Sequence, residues 1–437
     1  MTSPYIPNTE ADRQAMLRAI GVPSAEGLFQ DIPEGKRHPP LRLPPPLSEM
    51  ELLRELDYLS RQNASLAEYA CFLGAGAYRH FIPSVVRHLA ARGEFYTAYT
   101  PYQPEISQGT LQAMYEFQSL ICQLTAMEAA NDGMYDGASA LAEAALMACR
   151  VTGRHRVAVS QTLSHSYREV LQTYVCAQGI EIDTFTSPST RIAPETACLL
   201  VQSPNFFGYL EDLASLSQAA HEAGALCAVV TDPIALGLFQ PPGYYGVDIV
   251  VGEGQPLGTA LNFGGPYIGL FATRDKYLRQ MPGRVVGRTV DARGQTGYVL
   301  TLQTREQHIR RERATSNICT SEALVALVAA IYLGALGKQG LRQVAELCYH
   351  KAHYAAQRLS ELRGYSMPFS GVFFKEFVLR CPLPPKEINA RLLARKIIGG
   401  LDISDLVPQG MLLCVTEMNT RQEIDALVDA LGAIGET

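Results

Sequence analysis

A short turn at residues 136–139 has the residue types that a phosphate-binding site needs. It reads Asp-Gly-Ala-Ser and opens the alanine-rich stretch SALAEAALMA, which is typical of a helix. Backbone N–H groups at a helix N-terminus attract anions, and glycine lets an anion approach the backbone closely. Gly137, Ala138 and Ser139 are therefore candidate phosphate ligands. Taken alone, the turn is explained more simply by plain capping of the helix by Asp136 or Ser139.

Two further polar residues follow apolar runs that are candidate strands. Asp232 ends the run ALCAVVTDP, and an acidic residue at the carboxyl end of a parallel strand lies where α/β proteins bind ligands. His165 follows the run RVAVS and could stack on a planar cofactor. Each has a structural alternative, since an aspartate before proline also initiates turns and a single histidine often has only a structural role.

The next apolar run leads to a stretch from which a lysine is missing. Residues 247–266 read VDIVVGEGQPLGTALNFGGP. In enzymes that use pyridoxal phosphate (PLP), an aspartate pairs with the protonated ring nitrogen and a lysine anchors the cofactor covalently. Gln255 follows the strand candidate at this point and has no basic amine, so it cannot form such a link. No lysine occurs between Arg37 and Asp275, and Lys276 is predicted to be exposed.

Composition and charge exclude several classes of protein. The chain has 437 residues, is 47% hydrophobic and carries a net charge of −6, which indicates a large core and no basic nucleic-acid footprint. The longest apolar stretch, ALVALVAAIYLGALG, is shorter than the roughly 18 residues of a membrane span and is predicted to be a buried helix. Ten cysteines without metal-ligand spacing indicate buried thiols. We expect a cytoplasmic protein without metal, nucleic acid or membrane partners.

Alternating helices and short apolar strands must position the candidate residues. From about residue 110 to 275 this alternation predicts a mostly parallel sheet with helices on both faces, within an α/β domain at 48–335. Residues 1–47 are rich in proline and predict an extended arm. Residues 336–437 predict a small α+β domain, in which GVFFKEFVLRC and GMLLCVTEM are strands.

The order of these motifs closely resembles the P-protein family of the glycine cleavage system. The phosphate turn, His165, Asp232, the missing lysine and the Gly-Gly-Pro turn follow the family order, and YTAYTPYQPEISQGTLQAMYEFQ and RRERATSNICTSEAL are similar to family signatures. The resemblance covers nearly the whole chain and is to the amino-terminal half of the long form, which some organisms have as a separate subunit 1. It implies a large domain with the type I PLP-transferase fold.

The resemblance also implies an activity and partners. The family decarboxylates glycine and transfers the aminomethyl group to the lipoyl arm of H-protein. PLP is expected on a lysine-bearing subunit 2, with two copies of each chain, and this chain is expected to be inactive alone. The resemblance implies that this chain keeps a vestigial cofactor site, formed by Gly137, Ala138, Ser139, His165, Asp232 and Gln255.

The segment YTAYTPYQPEISQG is the best candidate for a contribution to the partner's active site. Its prolines stiffen a loop, and loops often carry functional residues. Tyrosine and glutamine side chains can orient a small carboxylate. The candidate residues are Tyr96, Tyr99, Tyr102, Gln103 and Glu105. The alternative is that the tyrosines simply fill a subunit interface, where this residue type is enriched.

Two other functions remain compatible with the sequence. One is a self-sufficient PLP enzyme that uses a displaced lysine such as Lys276, although the absence of lysine across the central sheet argues against it. The other is a purely structural or regulatory paralogue, which keeps the fold and the partner surface but contributes no side chain to catalysis.

Overall fold

The computed structural model describes residue 5 and residues 7–186, 192–262, 264–318 and 320–435. Contacts divide the chain into two compact units, Met1–Asn63 and Ala64–Thr437. The helices are α1 (Glu10–Ile20), α2 (Glu49–Ser60), α3 (Ser84–Ala90), α4 (Gly93–Tyr96), α5 (Gln108–Thr125), α6 (Gly137–Thr152), α7 (His165–Val175), α8 (Leu213–Glu222), α9 (Gln307–Arg310), α10 (Ala323–Ser360), α11 (Pro385–Leu393) and α12 (Arg421–Gly435). The strands are β1 (Ala70–Cys71), β2 (Ala129–Ala130), β3 (Arg156–Ser160), β4 (Glu181–Phe185), β5 (Thr196–Gln202), β6 (Leu226–Thr231), β7 (Ile249–Glu253), β8 (Gly269–Thr273), β9 (Val285–Val290), β10 (Thr296–Thr301), β11 (Glu376–Arg380), β12 (Ile397–Ile398), β13 (Leu401–Asp402) and β14 (Gly410–Cys414).

The amino-terminal unit contains two capped helices. A capping box of Ser48 and Glu51 begins α2. The segment predicted as an extended arm contains α1, which the prolines do not prevent because residues 8–22 contain none. Thr9 caps α1 by accepting a hydrogen bond from the Asp12 N–H. The predicted domain boundary at 47/48 stays a prediction.

A seven-stranded sheet forms the centre of the second unit. Its strand order is β2-β8-β7-β6-β5-β3-β4. β3 is parallel to β4 and β5, β5 to β6, and β6 to β7, whereas β8 runs antiparallel to β7 and β2 antiparallel to β8. The prediction of a mostly parallel sheet is confirmed.

Helices cover both faces of this sheet, as the alternation along β5 illustrates. Leu199 and Val201 face a cluster that includes Phe117 of α5. Cys198 and Leu200 face the opposite cluster, which the alanines of α6 dominate. Because β5 is apolar on both faces, it reads as a continuous hydrophobic run in the sequence.

The long helix α10 leads from the sheet into the carboxy-terminal region. It contains the apolar stretch predicted as a buried helix, and Val325, Ala329 and Tyr332 are buried. By length and composition α10 could also cross a membrane, a criterion that buried core helices meet equally. Gly337 interrupts its regular geometry with φ 60° and ψ −176°. The predicted domain boundary at 335/336 lies next to this break and stays a prediction.

A three-stranded antiparallel sheet, in the order β11-β14-β13, forms the carboxy-terminal part of this unit. Its apolar side packs against α12, where Phe377, Leu413 and Leu427 share one buried cluster. The strand β11 begins at Glu376, directly after Lys375. These two charged residues therefore lie at the start of a buried strand, where they reach the carboxyl ends of the parallel strands.

Candidate functional site

A small cavity lies at the carboxyl ends of β5, β6 and β7, the place where open α/β sheets bind ligands. Among the residues that line it are Tyr78, Tyr167, Asp232, Glu253 and Lys375. The cavity encloses about 40 Å³. That volume holds about three waters.

The N-terminus of α6 is bonded to carboxylates of the chain itself. Gly137 N–H donates to Glu253 Oε2 at 3.0 Å. Ser139 N–H donates to Asp136 Oδ1 at 2.7 Å, which completes a capping box and confirms the capping role that the sequence left open for Asp136. A Cβ at position 137 would collide with the Tyr167 hydroxyl, so the glycine permits this close packing.

Glu253 also braces the chain that follows β7. Its Oε1 accepts the Gln255 N–H at 3.0 Å. Burial raises the pKa of Glu253 to about 7, although the N–H groups of Gly137 and Gln255 act in the opposite direction. The carboxyl group therefore changes its charge near neutral pH, at the helix N-terminus where the sequence predicts phosphate.

Asp232 is neutralised by a buried lysine. Lys375 Nζ lies 2.6 Å from Asp232 Oδ2, and the lysine side chain is 2% exposed. The same ammonium lies 3.5 Å from the centroid of the Tyr78 ring, a cation–π contact. Burial acts most strongly, to lower the pKa of Lys375, but the charge of Asp232, the nearby cysteines and the hydrogen bond to Asp232 together outweigh it, and the net shift is upward. The carboxylate that would pair with a pyridine nitrogen already has a cation.

Gln255 is a structural brace at the position expected for the lysine. Its Oε1 accepts the Tyr78 N–H at 2.9 Å, and its Nε2 donates to Tyr78 O at 2.9 Å and to Thr259 O at 2.7 Å. The side chain is buried, and its amide is bonded at both the oxygen and the nitrogen. Gln255 thus joins the segment at residue 78 to the chain that follows β7.

A histidine and a glutamate extend this polar cluster. His80 Nε2 lies 3.0 Å from Lys375 Nζ, and His80 Nδ1 lies 2.8 Å from Glu417 Oε2. Burial, and then the charge of Lys375, lower the pKa of His80, so the neutral ring accepts from Lys375 and donates to Glu417. With Cys348 these two residues have the spacing of a metal site, but the ammonium of Lys375 beside His80 opposes a second cation.

His165 does not stack over the cavity as predicted. It is the first residue of α7, and its side chain is 69% exposed and points to Glu169, with 3.6 Å between Nδ1 and Oε1. Ser164 and Tyr167 line the cavity instead. The physical reason is the helical geometry, which turns residue 165 outward while residues one before and two after it face the sheet.

The tyrosine segment lies at the surface. Tyr96, Tyr99 and Tyr102 are 67%, 77% and 64% exposed, and Gln103 and Glu105 are exposed as well. None of the five lines the small cavity. The structure thus brings Gly137, Asp232 and Gln255 into one network and leaves the tyrosine segment outside it.

The base of this tyrosine segment rests on a buried arginine. Arg284 Nη1 donates to Thr100 Oγ1 at 3.2 Å, and its guanidinium carbon lies 5.8 Å from the Tyr102 ring centroid. Arg284 also lies near Glu306, with 3.7 Å between Nε and Oε2. This contact holds the middle of the segment in place while its tyrosines stay exposed.

Sequence reasoning missed Lys375, Glu253, Tyr78 and Tyr167. One signal was available, because Lys375 interrupts the apolar run GVFFKEFVLRC and a charged residue inside a buried strand requires a partner. Glu253 also carried a signal, because it ends the apolar run VDIVVGE as Asp232 follows the run before it. Tyr78 and Tyr167 carry no comparable local signal.

Comparisons with known proteins agree with this geometry. The family model described as Glycine cleavage system P-protein matches residues 3–431. A probable glycine dehydrogenase (decarboxylating) subunit 1 from Thermomicrobium roseum is 55% identical over 441 residues, which is 98% of each chain. A crystal structure of glycine decarboxylase (P-protein) of the glycine cleavage system, in inhibitor-bound form, has a TM-score of 0.94 at 45% identity and covers 99% of this chain and 100% of that chain.

A more distant structure shows the fold alone. A C-DES mutant with glycine covalently linked to its PLP cofactor has a TM-score of 0.60 at 15% identity, covering 84% of this chain and 97% of that chain. The predicted type I PLP-transferase fold is confirmed. Because the family model spans nearly the whole chain and a relative shares 55% identity, the chain belongs to the glycine cleavage system P-protein family.

Proposed function

We propose that this chain is the subunit of glycine decarboxylase that does not anchor PLP. With a lysine-bearing partner subunit it decarboxylates glycine and transfers the aminomethyl group to the lipoyl arm of H-protein. The observation that carries the proposal is the buried amide of Gln255, the residue that the sequence resemblance sets at the anchoring position, which is bonded to Tyr78 and Thr259. The chain keeps the scaffold of a PLP enzyme without the amine that would bind the cofactor.

PLP belongs on the partner subunit in this proposal. There the cofactor supplies the electron sink that stabilises the charge left when glycine loses its carboxyl group. This chain has no free amine for that role at its own site. Lys276 is 65% exposed and lies 3.7 Å from Asp248, and Lys375 is bound to Asp232. Neither geometry favours a self-sufficient enzyme with a displaced lysine.

The contribution of this chain to catalysis comes from its tyrosine segment. Tyr96, Tyr99 and Tyr102 present phenol groups and apolar rings to the outside, next to Ile106, which is 81% exposed. Together they form an exposed apolar patch with hydroxyl donors, a composition typical of the centre of a subunit interface. At the partner's active site the rings exclude water and the hydroxyl groups orient the glycine carboxylate.

Gln103 and Glu105 complete this surface in the proposal. Both are exposed beside Pro104, and Gln108 Nε2 donates to Pro104 O at 2.7 Å, which fixes the turn that carries them. An amide and a carboxylate at this place can bind the amino group of the substrate or of a partner residue. Arg284 fixes the other half of the segment through Thr100.

Stoichiometry, partners and compartment follow the same proposal. Two copies of this chain assemble with two copies of the lysine-bearing subunit, and the complex acts on lipoylated H-protein in the cytoplasm. Nine cysteines of the described residues are free thiols, and burial raises the pKa of several of them, including Cys227 and Cys381, which keeps them unreactive. That state suits a reducing compartment.

The test is the glycine-dependent exchange of labelled bicarbonate into the glycine carboxyl group. Three samples are compared with PLP and H-protein present: this chain alone, the lysine-bearing subunit alone, and their mixture. Activity that requires the mixture supports the proposal. Activity of this chain alone would contradict it, because no step in the proposal allows this chain to bind and use PLP without its partner.

A further inference from the structure

We propose that Glu253 and Lys375 occupy the positions of the two charged ends of PLP, and that they exclude the cofactor independently of the missing lysine. Removing the lysine alone would leave a pocket that still binds PLP non-covalently. In this chain both polar ends of that pocket are instead bonded to side chains of the protein. The inference concerns the residues of this chain and does not require the proposed activity.

The first replacement is at the phosphate end. An anion is stabilised at the N-terminus of a helix by free N–H groups and the helix dipole. Here Glu253 Oε2 accepts the Gly137 N–H, and Asp136 accepts the Ser139 N–H. A phosphate at this place would have to displace one carboxylate while approaching another, so charge repulsion adds to the lost hydrogen bonds.

The second replacement is at the ring-nitrogen end. Asp232 would stabilise a protonated pyridine nitrogen, but Lys375 Nζ lies 2.6 Å from Asp232 Oδ2. Asp232 Oδ1 accepts the Ile234 N–H at 2.9 Å. The ammonium is also held by the Tyr78 ring and by His80, so its displacement would leave a buried cation without partners.

The groups around the former cofactor site have a second effect, on the backbone of residues 75–81. Ala75 N–H donates to Glu376 Oε1 at 2.6 Å, Tyr78 N–H to Gln255 Oε1 at 2.9 Å, and Phe81 N–H to Glu417 Oε1 at 2.6 Å. Tyr78 also donates through its hydroxyl to Glu376 Oε2 at 2.7 Å. The space of the former site is therefore used to fix the segment that precedes the tyrosine surface.

The experiment reintroduces the amine and removes the replacements in turn. Q255K, Q255K/E253S/K375M and a matched control, Q255K/E211S/K351M, are each prepared as the full chain in complex with the lysine-bearing subunit. The control removes one carboxyl and one ammonium group near the site but leaves Gly137 and Asp232 with their partners. After incubation with PLP and reduction with borohydride, mass spectrometry quantifies the pyridoxyl adduct on the peptide that contains position 255.

The yield of the pyridoxyl adduct from Q255K/E253S/K375M is expected to be about tenfold or more above the yields from Q255K and from the control. The reason is that Glu253 and Lys375 each make a charged hydrogen bond that the cofactor would otherwise have to break. An equal yield from Q255K alone would show that only the lysine was missing and would overturn the inference. A folded triple variant without adduct at position 255, or an adduct on Lys375 in the wild type, would also overturn it.

A single variant decides the matter if the triple variant does not fold. In the E253S chain, inorganic phosphate is expected to bind at the freed α6 N-terminus about tenfold more tightly than to the wild type, as measured by ³¹P NMR titration. Equal binding to both chains would refute the role of Glu253 as the group that occupies the phosphate position.

Discussion

The buried cluster around Asp232 and the exposed tyrosine segment differ in whether their polar groups are bonded within the chain or exposed to solvent. In the cluster, Lys375 and Glu253 are bonded within the chain and the cavity holds about three waters. In the segment, Tyr96, Tyr99 and Tyr102 are each more than 60% exposed. Polar groups that are bonded within the chain contribute to its stability, whereas exposed side chains are available to a partner. The comparison teaches that the polar groups at the sheet edge are used within the chain, whereas those of the tyrosine segment are left at the surface.

The largest expected effect tests the structural half of this comparison. Lys375→Met leaves Asp232 buried without its cation, so the free energy of unfolding is expected to fall by about 3–5 kcal/mol in urea titrations. Lys386→Met, at an exposed lysine, is the control and is expected to change it by less than about 0.5 kcal/mol. If Lys375→Met lowers the free energy of unfolding by less than about 1 kcal/mol, the Lys375–Asp232 ion pair is not the interaction that occupies the site.

The next effect tests the functional half. The triple substitution Tyr96→Ala, Tyr99→Ala and Tyr102→Ala is expected to lower the bicarbonate exchange rate of the complex about 100-fold, as misplacement of substrate does. Stability of the isolated chain is expected to change little because the side chains are exposed. Tyr244→Ala, which removes a tyrosine that is 69% exposed elsewhere, is the control. Full turnover in an intact complex would instead favour a purely structural paralogue.

A smaller effect comes from the pKa of Glu253, which burial raises to about 7. For an acid whose pKa rises on folding, the folded state holds the extra proton. Its contribution to stability is therefore present below the unfolded pKa of 4.5 and is lost as pH rises through about 7. The measurement is the free energy of unfolding of wild type and Glu253→Gln between pH 5 and 8. Glu253→Gln is expected to make the decrease over this range smaller, by at most about 3 kcal/mol. Glu211→Gln is the control, and identical pH profiles for wild type and Glu253→Gln would contradict the assignment.

The smallest expected effect tests whether His165 lies outside the buried cluster. His165→Ala is expected to change the free energy of unfolding by less than about 0.5 kcal/mol and to leave the bicarbonate exchange rate unchanged. The reason is that the His165 side chain is exposed and does not line the cavity. Tyr167→Ala is the matched variant, because Tyr167 lies two residues further along the chain and lines the cavity. A clear loss of activity from His165→Ala would return this histidine to the site.

Much of the scaffold could be predicted from the sequence because its signals are local. The apolar run of β5, the glycine at the start of α6 and the aspartate after β6 each carry a pattern within a few residues. The interior of the site could not be predicted in the same way. Lys375 meets Asp232 across more than 140 residues, and Gln255 meets Tyr78 across 177. Such pairs depend on topology, which no periodicity in the chain encodes.

Two predictions differ from the structure for equally local reasons. The nearness of His165 to a strand predicts a place in the site, but one step along a helix changes the direction of a side chain by about 100°. The proline content of residues 1–47 predicts an extended arm, but residues 8–22 contain no proline and α1 lies within them.

The bonds to residues 75–81 impose an order on biosynthesis. Ala75 and Phe81 receive their hydrogen-bond acceptors from Glu376 and Glu417, about 300 and 336 residues later in the chain. While the chain is being translated, those acceptors are still missing when the tyrosine segment leaves the ribosome. Contacts of such long sequence separation form late in folding. The backbone of residues 75–81 therefore gains its last hydrogen bonds only when nearly the whole chain has been synthesised.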